Sequence, residues 1–395
     1  MEKRQSRMAA LVREGETMEI LRAKTLDLRQ TGELTPKRKE NSRLNQEEAL
    51  AQETVMRAAP RRLVFEMTNR CNLHCVMCGR NAADFQPTQF RTEWLDFFEP
   101  VTDLVEEVTL MGWGEPTVHP DFVHFLSWAK EKGLRKYFCT NGMRLEQLTP
   151  AIFEYHVDIV AVSLDGADSM TNECIRRGSD FNRIVRSLEK INRLKADQKV
   201  GYPYNNFVFT AMKQNLHQLP AMVRLASDIG VDEVKAVFLT AFDTAMKEQV
   251  LFYDMDHVRD VFAETQEEAE RLGVALKLPY LPGEDPAGSQ PHKTCYAGWR
   301  DFFLGSDGYV RPCMSTAQKL FHITQYPDFW SMWNSEEYQR HRAVVNCPAM
   351  TAHCASCYQS SFANWNRQES FLQIGKEFSP DWQKETREPH FKQKG

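Results

Sequence analysis

The segment Cys71-Asn-Leu-His-Cys75-Val-Met-Cys78 places three cysteines within eight residues, spaced Cys-x3-Cys-x2-Cys. Thiolates are the usual ligands of iron–sulfur clusters, and a 4Fe–4S cubane ordinarily takes four of them. A set of three leaves one iron with an open position, where a substrate or cofactor can bind directly. Zinc is the alternative, although it favours four closed ligands with paired Cys-x2-Cys knuckles; chance clustering is the other. The preceding run Arg62-Leu63-Val64-Phe65-Glu66-Met67 reads as a half-buried strand. The cysteines therefore lie on the loop leaving a strand, and in α/β barrels the loops at that end carry the chemistry.

A second cysteine group lies in the C-terminal third: Cys295, Cys313, Cys347, Cys354 and Cys357. Residues 300–310 between the first two read as a hairpin turning at Asp307-Gly308, which brings Cys295 and Cys313 together at its ends. Cys139 and Cys174 fall outside both groups and are read as packing residues.

The elements that must position these groups alternate strand and helix from residue 61. Strands are predicted at 62–67, 107–111, 136–140, 158–164, 206–211 and 233–239. Between them, Phe122, Phe125, Leu126 and Ala129 recur at helical spacing, as do Ile184, Leu188, Ile191 and Leu194, and Leu219, Met222, Leu225, Ala226 and Ile229. Asp180 and Asn215 are expected to cap two of the helices. Such alternation argues for a parallel sheet in an α/β fold. A charged helix over 256–271 leads to an apolar run at 274–278, then to a Pro- and Gly-rich linker over 282–288. Residues 1–60 look helical and strongly charged, with Leu44, Ala51, Val55 and Ala58 on one face, serving to pack on the barrel, to self-associate or as a solvated arm. The expected organisation is a helical N-terminal extension (1–60), a strand–helix α/β domain (61–290), a small cysteine-bearing domain (291–360) and an aromatic-rich tail (361–395) that packs back over the domain or over the active-site mouth.

The 395-residue chain carries a formal net charge of −5 without a basic stripe, so nucleic acid is not an expected partner. It has neither an apolar signal core nor a membrane-length apolar run, and a cytoplasmic location with reduced thiols is expected.

The cysteine triplet resembles the signature of the radical S-adenosylmethionine (radical SAM) enzymes, and later segments extend the likeness. Met111-Gly112-Trp113-Gly114-Glu115-Pro116 is similar to that family's Gly-Gly-Glu-Pro element, with Trp113 where the commoner form has glycine. Cys139-Thr-Asn141-Gly, Ser163-Leu-Asp-Gly166 and Ile175-Arg176-Arg177-Gly178 resemble further family segments. The resemblance implies an open, partial (β/α)6 TIM-like barrel. It implies a 4Fe–4S cluster held by Cys71, Cys75 and Cys78, with S-adenosylmethionine on the open iron. Gly112, Gly114, Glu115, Asn141, Ser163 and Arg176 become candidate contacts to that cofactor; a turn, cap or surface role is the plainer reading of each, and Arg177 could stand in for Arg176. The tail resembles the SPASM and shorter twitch domains and implies one auxiliary 4Fe–4S cluster on Cys295, Cys313, Cys354 and Cys357, with Cys347 replacing one of these or simply packing. Two-plus-two thiolates also suit zinc.

The activity so implied is reductive cleavage of S-adenosylmethionine to a 5′-deoxyadenosyl radical that takes a hydrogen atom from a substrate, with electrons from a low-potential donor such as flavodoxin or ferredoxin. A small sugar or aminocyclitol, oxidised, epimerised or dehydrated, is the first expectation for the substrate. A ribosomally made peptide or a protein is the second. A non-catalytic iron–sulfur or zinc protein is the rival of another kind. No catalytic base is assignable, although Tyr296, Arg300 and Asp301 lie near a cysteine in sequence.

Overall fold

Alternating side chains decide the architecture. The computed structural model describes residues 34–82, 86–279, 281, 295–314, 316, 318–351 and 354. Residues 1–33, the linker at 282–290, Cys357 and the tail from 361 lie outside the described residues. The strands are β1 (Arg62–Phe65), β2 (Glu107–Leu110), β3 (Arg135–Thr140), β4 (Ile159–Ser163), β5 (Tyr204–Ala211), β6 (Glu233–Phe238), β7 (Ala275–Lys277), β8 (Asp301–Leu304), β9 (Tyr309–Arg311) and β10 (Phe321–His322). The longer helices are α1 (Pro36–Leu50), α2 (Phe122–Glu131), α3 (Leu145–Glu154), α4 (Ser169–Ile175), α5 (Phe181–Asp197), α6 (Leu219–Ile229), α7 (Met255–Leu272) and α8 (Glu336–Val344).

One sheet holds all the described strands in the order β10-β9-β8-β1-β2-β3-β4-β5-β6-β7. Pairing is parallel from β8 through β1 to β7 and antiparallel at β8–β9 and β9–β10. The barrel is open, with β7 and β10 as its edges. All six expected strands are present. The apolar run near Val274 supplies a seventh, and the first arm of the expected hairpin pairs with β1 as an eighth parallel strand. That hairpin turns at Gly308 with φ +78°, a left-handed conformation that glycine adopts without a Cβ penalty.

One side chain set, including Leu63, Phe65, Val108, Leu110, Phe138, Val160, Val162, Phe207, Phe209, Val234 and Ala236, points outward under the helices and forms the core. Each such buried Val, Leu or Phe side chain contributes about 1.5–3 kcal/mol. Asp180 caps α5 as expected, its carboxylate accepting from the Arg183 amide at 2.9 Å. Asn215 instead binds the Met212 amide at 2.8 Å and donates to the carbonyls of Asp165 and Thr210, both at 3.0 Å, so it fixes a loop rather than capping α6.

Helix α1 departs from its expected apolar face. It ends at Leu50, leaving Ala51, Val55 and Ala58 beyond it. It docks through polar groups: Arg38 donates to the carbonyls of Gly133 (2.5 Å), Lys132 (2.7 Å) and Thr102 (3.0 Å). Asn45 donates to Ala59 O at 3.0 Å and Trp299 O at 2.8 Å. Loop ends of a sheet expose carbonyls, and a guanidinium or amide can satisfy several at once. This places α1 against both the barrel and the segment that follows Cys295.

Candidate active site

The cysteine loop follows β1 and is held at both ends. On the approach, Asn69 Nδ2 donates to Gln86 O (2.7 Å), its Oδ1 accepts from the Thr88 amide (2.8 Å), and Thr68 Oγ1 donates to Thr88 O (2.8 Å). Further on, the amides of His74 and Val76 donate to the carbonyls of Arg177 and Ile175, each at 2.9 Å. Cys71 Sγ accepts from the Leu73 amide at 3.4 Å and lies 3.8 Å from Asn141 Nδ2. All three cysteines are half-buried.

Burial raises the pKa of each thiol, with that of Cys75 pushed up to about 11, while the nearby cations Arg80 and Arg176 oppose the rise. The triplet gives up its protons readily only when a metal cation replaces them. Among the described residues, no three His, Cys, Asp or Glu side chains are already closed on one point as a metal site. Three soft donors on one short loop, desolvated and flanked by backbone amides, fit an iron–sulfur cluster with a vacant ligand position.

The loop after β2 packs directly onto this one. A Cβ on Gly114 would meet the Thr68 and Arg70 carbonyl oxygens well inside 3.0 Å, and one on Gly112 would meet the Glu66 side chain equally closely. Both glycines therefore let loop approach loop. Glu115 is fully buried and its carboxylate is spoken for within the protein. Its Oε1 accepts from the Thr117 amide (3.1 Å), Thr117 Oγ1 (2.6 Å) and Thr140 Oγ1 (2.7 Å); its Oε2 accepts from the Asn141 amide (2.7 Å). Burial still pushes its pKa up against those bonds. Glu115 thereby fixes the end of β3. Asn141 carries that order to the cysteine loop, donating to Asn72 Oδ1 at 2.8 Å.

Ser163 ends β4, its Oγ 3.5 Å from Cys139 Sγ. Cys139 is thus half-buried on the concave face of the sheet, whereas Cys174 is exposed and does not take the packing role expected of it. Arg176 is buried and ion-paired with Asp165, Nε to Oδ2 at 2.7 Å, while Asp165 Oδ1 accepts from the Thr210 amide at 2.7 Å. Coulombic attraction to Asp165 raises the Arg176 pKa in spite of burial. Arg177 has an exposed side chain and serves through its carbonyl.

Two residues at this mouth escaped the sequence reading. Glu66 Oε1 accepts from the Trp113 amide at 2.9 Å, and its Oε2 accepts from the Ser306 amide (3.1 Å) and hydroxyl (2.8 Å). It ties the β2 loop to the β8–β9 turn; only its inward place on the strand hinted at this. Trp113 meets Phe242 edge-on, centroids 5.4 Å apart, and the pair covers Gly79, where a Cβ would lie 2.8 Å from Trp113.

In the C-terminal group, Asn346 grips Cys295, accepting from its amide at 2.7 Å and donating to its carbonyl at 3.0 Å. The next residue, Cys347, donates its thiol to Val344 O at 3.3 Å. Cys313 follows β9, and Cys354 packs against the core. Arg300 and Asp301 lie at the opposite end of the strands from the cysteine loop, where Asp301 pairs with Arg62 at 2.5 Å.

Comparison with known proteins agrees with this geometry. A radical SAM superfamily model matches residues 65–226, and an iron–sulfur cluster-binding domain model, SPASM, matches residues 295–358. The AdoMet-dependent heme synthase of Methanosarcina barkeri is 26% identical over 310 residues, covering 71% of this chain and 84% of that protein. The PqqA peptide cyclase of Bradyrhizobium diazoefficiens is 26% identical over 316 residues, 75% of this chain and 78% of that protein. Streptococcus suis SuiB, solved with its precursor peptide SuiA, shares the fold with a TM-score of 0.61 at 16% identity, over 93% of this chain and 89% of that one. The chain belongs to the radical SAM superfamily and carries an iron–sulfur cluster-binding SPASM domain toward its C-terminus.

Proposed function

We propose that this enzyme modifies a peptide or protein by radical chemistry. Membership brings 4Fe–4S clusters and S-adenosylmethionine as cofactors, which together supply a 5′-deoxyadenosyl radical when bound. Cys71, Cys75 and Cys78 would hold the first cluster. Glu115 and Asn141 would brace the loops around the sulfonium compound, and the buried Asp165–Arg176 pair and Ser163 would line its far side. Cys295, Cys313, Cys354 and Cys357 would hold the auxiliary cluster, and Cys347, next in chain to the residue that grips Cys295, would either replace one of them or simply pack. Trp113 and Phe242 would shield the cluster loop from water. A low-potential reductant such as flavodoxin or ferredoxin would supply the electron.

The observation that carries the peptide reading is the likeness to PqqA peptide cyclase, which covers 75% of this chain and 78% of that protein. The SuiB fold, solved with a peptide in place, supports it. The sugar-type substrate expected from the sequence has weaker support. A small-molecule substrate stands as the second reading because of the likeness to the heme synthase.

The test has two stages. Anaerobically reconstituted, reduced protein should convert S-adenosylmethionine to 5′-deoxyadenosine, and Cys75→Ala should abolish this. Incubation with short peptides encoded beside the gene should then change the mass of one of them. Turnover of a small molecule with every such peptide left unchanged would favour the second reading.

A further inference from the structure

The inward side chains of β3 lead up to the cysteine loop. Tyr137, Cys139 and Asn141 alternate with Phe138, which belongs to the outer core, and Asn141 Nδ2 lies 3.8 Å from Cys71 Sγ. Cys139 is two residues back along the strand, about 7 Å. Its thiol lies 3.5 Å from the hydroxyl of Ser163, the last residue of β4. Both side chains are half-buried, as are Val208 and Thr210 on β5, although their chain neighbours are buried. Inward residues with this alternation line a chamber. One row down, Tyr137, Ile159 and Tyr204 pack together apart from the main core and form its floor.

Ala161 and Asn206 stand in the same row as Cys139. Asn206 faces inward, because Phe207 and Phe209 belong to the outer core and Asn205 donates to Asn192 on α5 at 2.7 Å. It is 1% exposed, and its Oδ1 is buried without a hydrogen-bond partner among the described residues. A buried acceptor left unmade is costly, and an N–H or O–H donor removes that cost. Two strand spacings, about 10 Å, separate Asn206 from Cys139, with only the methyl group of Ala161 between them. A substrate whose amide N–H meets Oδ1 therefore sets its adjoining carbon over Ala161, beside the thiol.

Cluster ligation falls to Cys71, Cys75 and Cys78 and makes no use of Cys139. Burial raises the pKa of Cys139, with the Ser163 hydrogen bond opposing, so the sulfur keeps its hydrogen. An S–H bond yields a hydrogen atom more readily than an unactivated C–H bond or a serine O–H.

We propose that the Cys139 thiol is the hydrogen-atom donor that ends the substrate radical, with Asn206 holding an amide of that substrate beside it. The substrate carbon loses one hydrogen atom, which leaves in 5′-deoxyadenosine, and takes another from the Cys139 S–H bond. The sulfur radical so formed returns to the thiol with one electron from the low-potential donor and one proton from water. The substrate leaves neither oxidised nor reduced, as in the inversion of a carbon centre. The inference rests on the radical SAM reading of the chain.

The test uses the cluster-loaded holoenzyme, anaerobically. Iodoacetamide followed by mass spectrometry reads each thiol. Cys139 should label, and S-adenosylmethionine should slow its labelling while the exposed Cys174 labels as before. Acetyl-Ala-Ala-Ala amide, added with S-adenosylmethionine, should slow it further in the parent and not in Asn206→Leu. With the chamber empty, the thiol is the weakest hydrogen source facing the cofactor. Reduced enzyme given S-adenosylmethionine in heavy water, without added thiol or peptide, should therefore form deuterated 5′-deoxyadenosine. Cys139→Ala and Cys139→Ser should lose that deuterium, although serine keeps the size and a hydrogen bond to Ser163. Unchanged iron and sulfide content and melting temperature show that the variants fold. Equal deuterium in parent and variants overturns the donor assignment. A Cys139 that never labels, or labels alike with and without S-adenosylmethionine, overturns it too. A peptide without effect on the parent overturns the amide contact at Asn206. Protein that forms no 5′-deoxyadenosine at all loses the radical SAM reading, and the inference with it.

Discussion

Gly114→Ala is the most direct probe of how the site is built. The added methyl would sit well inside 3.0 Å of the Thr68 and Arg70 carbonyl oxygens and 2.7 Å from the Asn69 carbonyl carbon. These are backbone atoms, so no rotamer change relieves the overlap. The two loops must separate by about an ångström, and overpacking of this kind costs about 1–3 kcal/mol. Separation also stretches the Glu115 amide bond to Arg70 O, now 2.8 Å, at about 1 kcal/mol. The sum, about 2–4 kcal/mol, corresponds in a chain of this length to a fall in melting temperature of about 2–5 °C. Arg70 adjoins Cys71, so the displacement reaches the first thiol directly. Reconstituted G114A should therefore lose the change that S-adenosylmethionine produces in the electron paramagnetic resonance spectrum of the reduced cluster. Gly201→Ala is the control, because a Cβ there meets nothing within 4 Å. A G114A protein with the parent melting temperature and the parent response to S-adenosylmethionine would refute the reasoning.

Three further outcomes are expected. Glu66→Gln puts an amide N–H₂ against donors at Trp113 or Ser306; a loss of about 2–3 kcal/mol should follow, with reduced exchange protection of the Trp113 and Ser306 amides together. Arg38→Met strands three carbonyl groups and should cost about 3 kcal/mol, with early proteolysis near α1; an unchanged denaturation midpoint would mean that α1 does not depend on this anchor. Glu106 is buried against Arg61 (2.6 Å), Arg135 and Ser42, and Arg61 and Arg135 hold its pKa below the usual 4.5 despite burial. Its contribution is present above about pH 4.5 and is lost as pH falls through its lowered folded value; Glu106→Gln should remove that share of the acid sensitivity, measured as the pH dependence of the denaturation midpoint.

Spacing along the chain determined the chemistry of this protein. Three thiols on eight residues specify a ligand set whatever surrounds them, and the periodic apolar residues specify strands and helices because burying a face needs only local alternation. The hairpin before Cys313 was legible for the same reason, from its Asp-Gly turn. What each polar group does was settled by residues far away in sequence. Glu66 meets Ser306 across 240 positions and Asn45 meets Trp299 across 254. Glu115 and Arg176 stand alone in a linear motif, and only the fold shows that Thr140 and Asn141 donate to the one and Asp165 pairs with the other. A buried charge takes whichever partner tertiary packing brings within hydrogen-bond distance, and a string of residue types carries no record of that distance.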